Sequence, residues 1–340
     1  MGRQVSGTAS APGVAIIGCG LIGHKRAKAL GNARLVVCAD IAQDRADRLA
    51  ATAPGCRAVT DWQQAVANPE VSIVMIATLH DTLAEIAHGA VAAGKNVLIE
   101  KPAARNAAEL AGLAEAAAAK GCLVRVGFNH RYHRALQKAY QLVTSGELGP
   151  LMFLRARYGH GGRVGYDREW RSDPKKSGGG ELIDQGPHLV DLARWFLGDF
   201  AEVDGFAATY YWDMPVDDNG FLLLKTVERK VAFLHASCTE WKNTFSFEIY
   251  GRDGKIDING LGGSYGAERL TFYKMLPEMG PPETTSWEYP MADNSWDVEF
   301  AEFLEDIRLK RQPAAGIRDA VEALHIIEKI YRMSGYDHNA

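Results

Sequence analysis

The chain has 340 residues, 47% of them hydrophobic and 24% charged, with a net charge of −4. That is length enough for two domains, and the charge balance gives no electrostatic reason to bind nucleic acid or an anionic membrane. No apolar run is long enough to span a bilayer, and the five cysteines (Cys19, Cys38, Cys56, Cys122, Cys238) form no CxxC pair, so the expectation is a cytoplasmic protein with neither a disulfide framework nor a metal site.

The opening MGRQVSGTASAP (1–12) lacks the apolar stretch of a signal peptide and reads as a disordered tail. An apolar run, Val14 to Ile17, then leads into Gly18-x-Gly20-x-x-Gly23 and a helix-like stretch that begins with Leu21 and Ile22. Such a turn needs Gly18 for its tightness, Gly20 for close approach of a pyrophosphate and Gly23 for helix–strand packing. The phosphates would rest on the helix N-terminus. A second apolar run, RLVVCAD, ends in Asp40, about 20 residues on, where the acid that binds the adenosine ribose is expected. An acid there repels a 2′-phosphate and no arginine follows at once, so NAD is favoured over NADP.

Strand-like runs VSIVMIAT (71–78), KNVLIE (95–100) and CLVRVGF (122–128) alternate with helix-like stretches, one of them alanine-rich and closed by glycine. Continuous apolar strands between amphipathic helices predict a parallel sheet covered on both faces. Ligands lie off the carboxyl ends of such strands, which places Thr78, His80, Glu100, Lys101 and Asn129 along one crevice. Lys101 stands at a strand end before Pro102, where a cation can steer a substrate oxygen; the alternative is a surface lysine at a turn.

From residue 130 the pattern changes. After a helix closed by glycine come strand-like segments joined by short polar turns, among them a hairpin at GRDGK, which predict an antiparallel sheet. The segment SGGGELIDQGPHLVDLARWFLGDF (177–200) interrupts them with a helix that starts near Asp184, because Pro187 is acceptable only in a first turn. Asp184 and His188 are four apart and share a face. Two readings stand: Asp184 as a plain N-cap with His188 a core histidine bonded to Asp191, or both as site residues. Gly178 to Gly180 favour the second, since three glycines make sense where backbone passes close to a ligand. Two helical stretches end the chain, the last capped by Gly335.

The segments GCGLIGHKRAKAL, GKNVLIEKP and GGGELIDQGPHLVDLARWFLGDF together resemble the glucose–fructose oxidoreductase, inositol dehydrogenase and rhizopine-catabolism (Gfo/Idh/MocA) family over nearly the whole chain after the tail. The resemblance implies an α/β protein with an N-terminal Rossmann domain (13–129) and a C-terminal α+β domain (130–340) built on a large open antiparallel sheet. The last helix is a candidate to pack back on the first domain, and a homodimer or homotetramer would form through the sheet. It also implies Lys101, Asp184 and His188 as catalytic residues and Trp170 and Arg171 on the substrate pocket. TLHDTLAE (78–85) departs from the family pattern, which has proline and asparagine after the threonine and histidine where Leu83 stands.

The arginine-, glycine- and aromatic-rich loop 155–176 offers Arg163 and Tyr166 as substrate contacts, and NHR (129–131) adds Asn129 and Arg131 as a second edge. Flat aromatics beside polar donors suit a sugar ring, and arginines suit a phosphate or carboxylate. The expected activity is NAD-dependent oxidation of a secondary ring hydroxyl of a sugar, sugar nucleotide or glycoside. A cyclitol dehydrogenase, a glycosidase that recycles its NAD and a non-catalytic NAD-binding regulator are the alternatives.

Overall fold

The computed structural model of the chain describes residues 11–336; most of the tail expected at 1–12 lies outside them. A first sheet is formed by β1 (Gly13–Ile17), β2 (Arg34–Ala39), β3 (Arg57–Val59), β4 (Ile73–Ile76), β5 (Asn96–Ile99) and β6 (Val124–Val126). Its order is β3-β2-β1-β4-β5-β6 and every pairing is parallel. β1, β4 and β5 are apolar at nearly every position because both faces are covered: the strands bury Ala15, Val74 and Ile99 in one cluster and Ile16, Met75 and Leu98 in another. In this sheet β3 alone lies outside the strand-like runs of the sequence; three residues carry no readable period.

The second sheet comprises β7 (Leu151–Gly159), β8 (Phe200–Ala208), β9 (Asn219–Thr226), β10 (Val231–Ser237), β11 (Thr244–Gly251), β12 (Gly254–Asn259), β13 (Glu268–Lys274) and β14 (Glu283–Tyr289). They run in the order β14-β13-β12-β11-β7-β10-β9-β8. Burial alternates along β11, TFSFEIYG, as it must when one face packs and the other is open. The helix Gly186–Leu197 covers the inner face, with Phe196 against Phe247 at 5.6 Å between ring centroids. Arg252 and Asp253 form the tight hairpin loop between β11 and β12. The sheet is not wholly antiparallel: β10 lies beside β7 in the same direction. β7 is followed by the long excursion through the helix, and β8 and β9 then build inward from the far edge, so β10 arrives alongside β7 as its parallel partner.

The two C-terminal helices tie the halves together. Buried Arg26 donates to Glu100 at 2.7 Å and to Glu299, on the helix Ser295–Leu309, at 2.5 Å. Arg125 of β6 is fully buried against Asp306 of the same helix. The helix Ile317–Ser334 reaches the first sheet too: Ala107 N–H donates to Glu328, and Val126 N–H to the carbonyl of Ala315 just before it.

Removing one partner of a buried charge cluster strands the others in low dielectric, at about 3–5 kcal/mol. Arg26→Met leaves Glu100 and Glu299 without their shared cation, and urea unfolding is expected to show a loss of that size. A loss within ~0.5 kcal/mol, as for ordinary surface changes, would contradict the role given to the cluster.

Candidate active site

The glycine loop has the shape a dinucleotide requires. Gly18 sits at φ +93°, and a Cβ there would stand 2.4 Å from the carbonyl oxygen of Ala77; at Gly23 it would stand 2.1 Å from that of Gly18. Those two glycines are demanded by the protein's own packing. Gly20 differs: nothing lies within 4 Å of its Cβ position, so open space is left where a ligand can approach the helix Leu21–Lys28. Asp40, just past β2, accepts from the N–H groups of Cys19 at 2.8 Å and Ala42 at 2.9 Å. These residues fit a dinucleotide.

A cavity of about 340 Å³ opens beyond the carboxyl ends of β4 and β5, between the two sheets. Leu21, Ile22, Thr78, His80, Asn129, Trp170 and Arg171 are among its lining residues, with His80 edge-on to Trp170 at 4.8 Å between ring centroids. At its floor Lys101, whose bond to Pro102 is cis, reaches across to the second half of the chain. Its ammonium donates to Asp184 Oδ1 at 2.7 Å and to the Asp184 carbonyl at 2.6 Å, while Arg171 Nε donates to Asp184 Oδ2 at 2.8 Å. Burial opposes ionisation of Asp184, yet Lys101 and Arg171 together hold its carboxyl well below the usual range. A short turn Glu181–Asp184 and the helix Gly186–Leu197 meet at Gln185, so the helix starts two residues past Asp184 with Pro187 in its first turn, as expected, but Asp184 is not its N-cap.

His188 lies buried on the same cavity wall, stacked on His130 with ring centroids 3.6 Å apart. It is not bonded to Asp191, whose carboxylate is held by Arg131. Burial, and then the ammonium of Lys101, push the His188 imidazole well below its ordinary value against the pull of Asp184. It is therefore neutral at pH 7. His130, also neutral for the same first cause, was passed over because NHR reads as a polar edge with no visible phase; the short turn Asn129–Tyr132 decides which side chain faces the cavity.

Several expected contacts lie elsewhere. Arg131 is buried in a two-pronged pair with Asp191, at 2.8 and 2.5 Å, and does not line the cavity. Arg163 is exposed and bound to Glu169 at 2.6 Å. Tyr166 is buried, its hydroxyl directed to Glu181 at 3.2 Å. Glu100 touches the cavity, but its carboxylate is taken by Arg26. The glycine run also has a different reason. A Cβ at Gly178 would stand 2.7 Å from Cβ of Arg105, at Gly179 2.3 Å from the Tyr331 hydroxyl oxygen, and at Gly180 1.9 Å from the Asp217 carbonyl oxygen. Close protein neighbours, rather than a ligand, require it.

His80 Nδ1–H donates to the Ser177 carbonyl at 2.8 Å, and burial pushes its imidazole down to about 4. Being neutral when folded and able to charge when unfolded, it contributes stability that is full above about pH 6.5 and lost as pH falls toward 4. Replacing it (His80→Phe) should make the fall of unfolding free energy between those pH values shallower by roughly 3 kcal/mol. An unchanged pH slope would contradict the burial argument.

Comparison with known proteins places this geometry. The sequence pattern of the oxidoreductase family with an NAD-binding Rossmann fold, Gfo/Idh/MocA, matches residues 13–128, and that of a Gfo/Idh/MocA C-terminal domain matches 136–257. Levoglucosan dehydrogenase of Pseudarthrobacter phenanthrenivorans is 30% identical over 235 residues, 59% of this chain and 58% of that protein. Inositol 2-dehydrogenase of Gluconacetobacter diazotrophicus is 35% identical over 191 residues, 54% of each. The chain thus spans little more than half the length of these curated relatives. A solved levoglucosan dehydrogenase in complex with NADH and levoglucosan has the same fold, with a TM-score of 0.86 at 22% identity over 96% of this chain and 97% of that one. Matched in both halves, the chain belongs to the Gfo/Idh/MocA family of oxidoreductases.

Proposed function

We propose that the protein is an NAD-dependent dehydrogenase that oxidises a secondary ring hydroxyl of a sugar, glycoside or cyclitol to a ketone, or runs the reverse. The observation that carries this reading is the meeting of a cation, Lys101, and a neutral imidazole, His188, in one cavity off the strand ends, beside a glycine loop with room for a dinucleotide. Bound NAD would supply hydride acceptance. His188, uncharged and facing the cavity, takes the hydroxyl proton. Lys101 stabilises the developing alkoxide. Asp184 orients Lys101. Asp40, by its charge, favours NAD over NADP.

The only guanidinium lining the cavity among the described residues, that of Arg171, is already bound to Asp184 and 3.7 Å from Glu169. That favours an uncharged ring polyol over a phosphorylated or nucleotide-linked sugar. Relatives named as a levoglucosan and an inositol dehydrogenase accord with a polyol, while another, of Saccharopolyspora spinosa, is named as a reductase of a dTDP-linked sugar. In this reading residues 13–129 bind the dinucleotide and 130–340 the substrate, with the C-terminal helices bridging them. The open face of the second sheet exposes Phe206, Leu223 and Phe233 and supports association into a homodimer or homotetramer. The protein would act in the cytoplasm; no helix among the described residues is long and apolar enough to cross a membrane.

Incubation with NAD and a panel of sugars, glycosides and inositols should yield one NADH per ketone formed. His188→Ala should lower kcat by about 10²- to 10⁴-fold while NADH binding, read by fluorescence, stays intact. Free sugar released from a glycoside with no net NADH would establish the glycosidase alternative instead. Unchanged turnover in the variant would remove His188 from the reaction.

A further inference from the structure

Asp184 can hold Lys101 only if its own backbone is held, and the turn that carries it is very short. Glu181–Asp184 is a single turn, and the first four N–H groups of any helical turn have no intrahelical acceptor. Here two distant residues take all four. Gly180 N–H donates to Asp217 Oδ1 at 2.9 Å and to the Tyr331 hydroxyl oxygen at 3.1 Å. Glu181 N–H donates to the Asp217 carbonyl at 2.9 Å. Leu182 N–H donates to Asp217 Oδ2 at 2.7 Å, and Ile183 N–H to the Tyr331 oxygen at 3.2 Å. Tyr331 O–H in turn donates to Asp217 Oδ1 at 2.7 Å. The next N–H, that of Asp184, makes the first bond within the turn, to the Gly180 carbonyl at 3.1 Å.

We propose that Asp217 and Tyr331 are positioning residues for the Lys101–Asp184 pair: they clamp residues 180–183 and thereby fix where the Asp184 carboxylate meets the lysine. Asp217 stands at the entry to β9 and Tyr331 near the end of the helix Ile317–Ser334; both are buried, at 0% and 5% exposure. The glycines are part of the same device. Side chains at 179 or 180 would occupy the space of the Tyr331 hydroxyl and the Asp217 carbonyl, so the clamp can close only over glycine. The last helix thus reaches the site through a chain of hydrogen bonds without lining the cavity. What the pair does in turnover rests on the dehydrogenase reading; how it is held does not.

The test uses the full chain with Tyr331→Phe, which loses only the hydroxyl, and Asp217→Asn, which turns one acceptor into a donor facing an N–H. Acylation of Lys101 by acetic anhydride, followed by peptide mass spectrometry, reports how firmly Asp184 holds the ammonium and needs no turnover. In both variants Lys101 is expected to label roughly five- to tenfold faster than in the wild type, the scale of one lost charge-assisted hydrogen bond. With an active polyol, kcat should fall by about the same factor while KM for NAD changes less than about twofold. A residue with a merely structural role would lower the melting temperature and leave Lys101 labelling and kcat, measured well below it, unchanged. Wild-type labelling in folded Tyr331→Phe overturns the proposal whatever happens to turnover, and that variant decides the matter if Asp217→Asn fails to fold. Faster labelling in a protein whose wild type oxidises no polyol upholds the clamp and rejects the dehydrogenase reading.

Discussion

A carboxylate buried between two cations, Asp184 between Lys101 and Arg171, is the joint on which the site turns. Alone in that environment the carboxyl would take up a proton and the lysine would lose its anchor. Paired, the carboxylate stays ionised, and the pairing links the end of a strand in the first sheet to a turn in the second half of the chain. The link brings an ammonium and an imidazole into one cavity. Burial first, and then the nearby ammonium, discourage a positive charge on the imidazole, so His188 is left neutral and able to accept a proton.

That joint is supported from several sides, and each support is a buried ion pair. Arg26 with Glu100 and Glu299 fixes the strand end next to Lys101 against the helix Ser295–Leu309. Arg131 with Asp191 holds the helix that bears His188. Such contacts add little net stability compared with an apolar core of the same volume, but each is costly to break. Their distribution accounts for the way the C-terminal helices lie across the seam instead of packing on the second sheet alone.

The parts legible in the sequence were those specified by local spacing. The glycine loop, Asp40 twenty-odd residues on, and a lysine at a strand end before proline are short-range patterns with a fixed structural meaning, and the family resemblance extended them to Asp184 and His188. What stayed hidden depended on partners far along the chain. Arg131, Arg163 and Tyr166 were read as substrate contacts because a sequence shows a polar side chain but not the Asp191, Glu169 or Glu181 that already occupies it. The three glycines read as a place for a ligand, whereas Arg105, Tyr331 and Asp217 fill that space. The parallel contact of β7 and β10 escaped for a similar reason: adjacency in a sheet is set by the order of assembly, and strand patterns carry no record of it. His130 was missed for want of phase in a single short turn.

The account stands or falls on where a bound dinucleotide puts its nicotinamide. A crystal structure with NAD and a ring polyol should place the substrate oxygen within about 2.6–3.2 Å of both the Lys101 ammonium and a ring nitrogen of His188, beside the nicotinamide ring. A nicotinamide lying away from both side chains, or a substrate oxygen bound by neither, would contradict it.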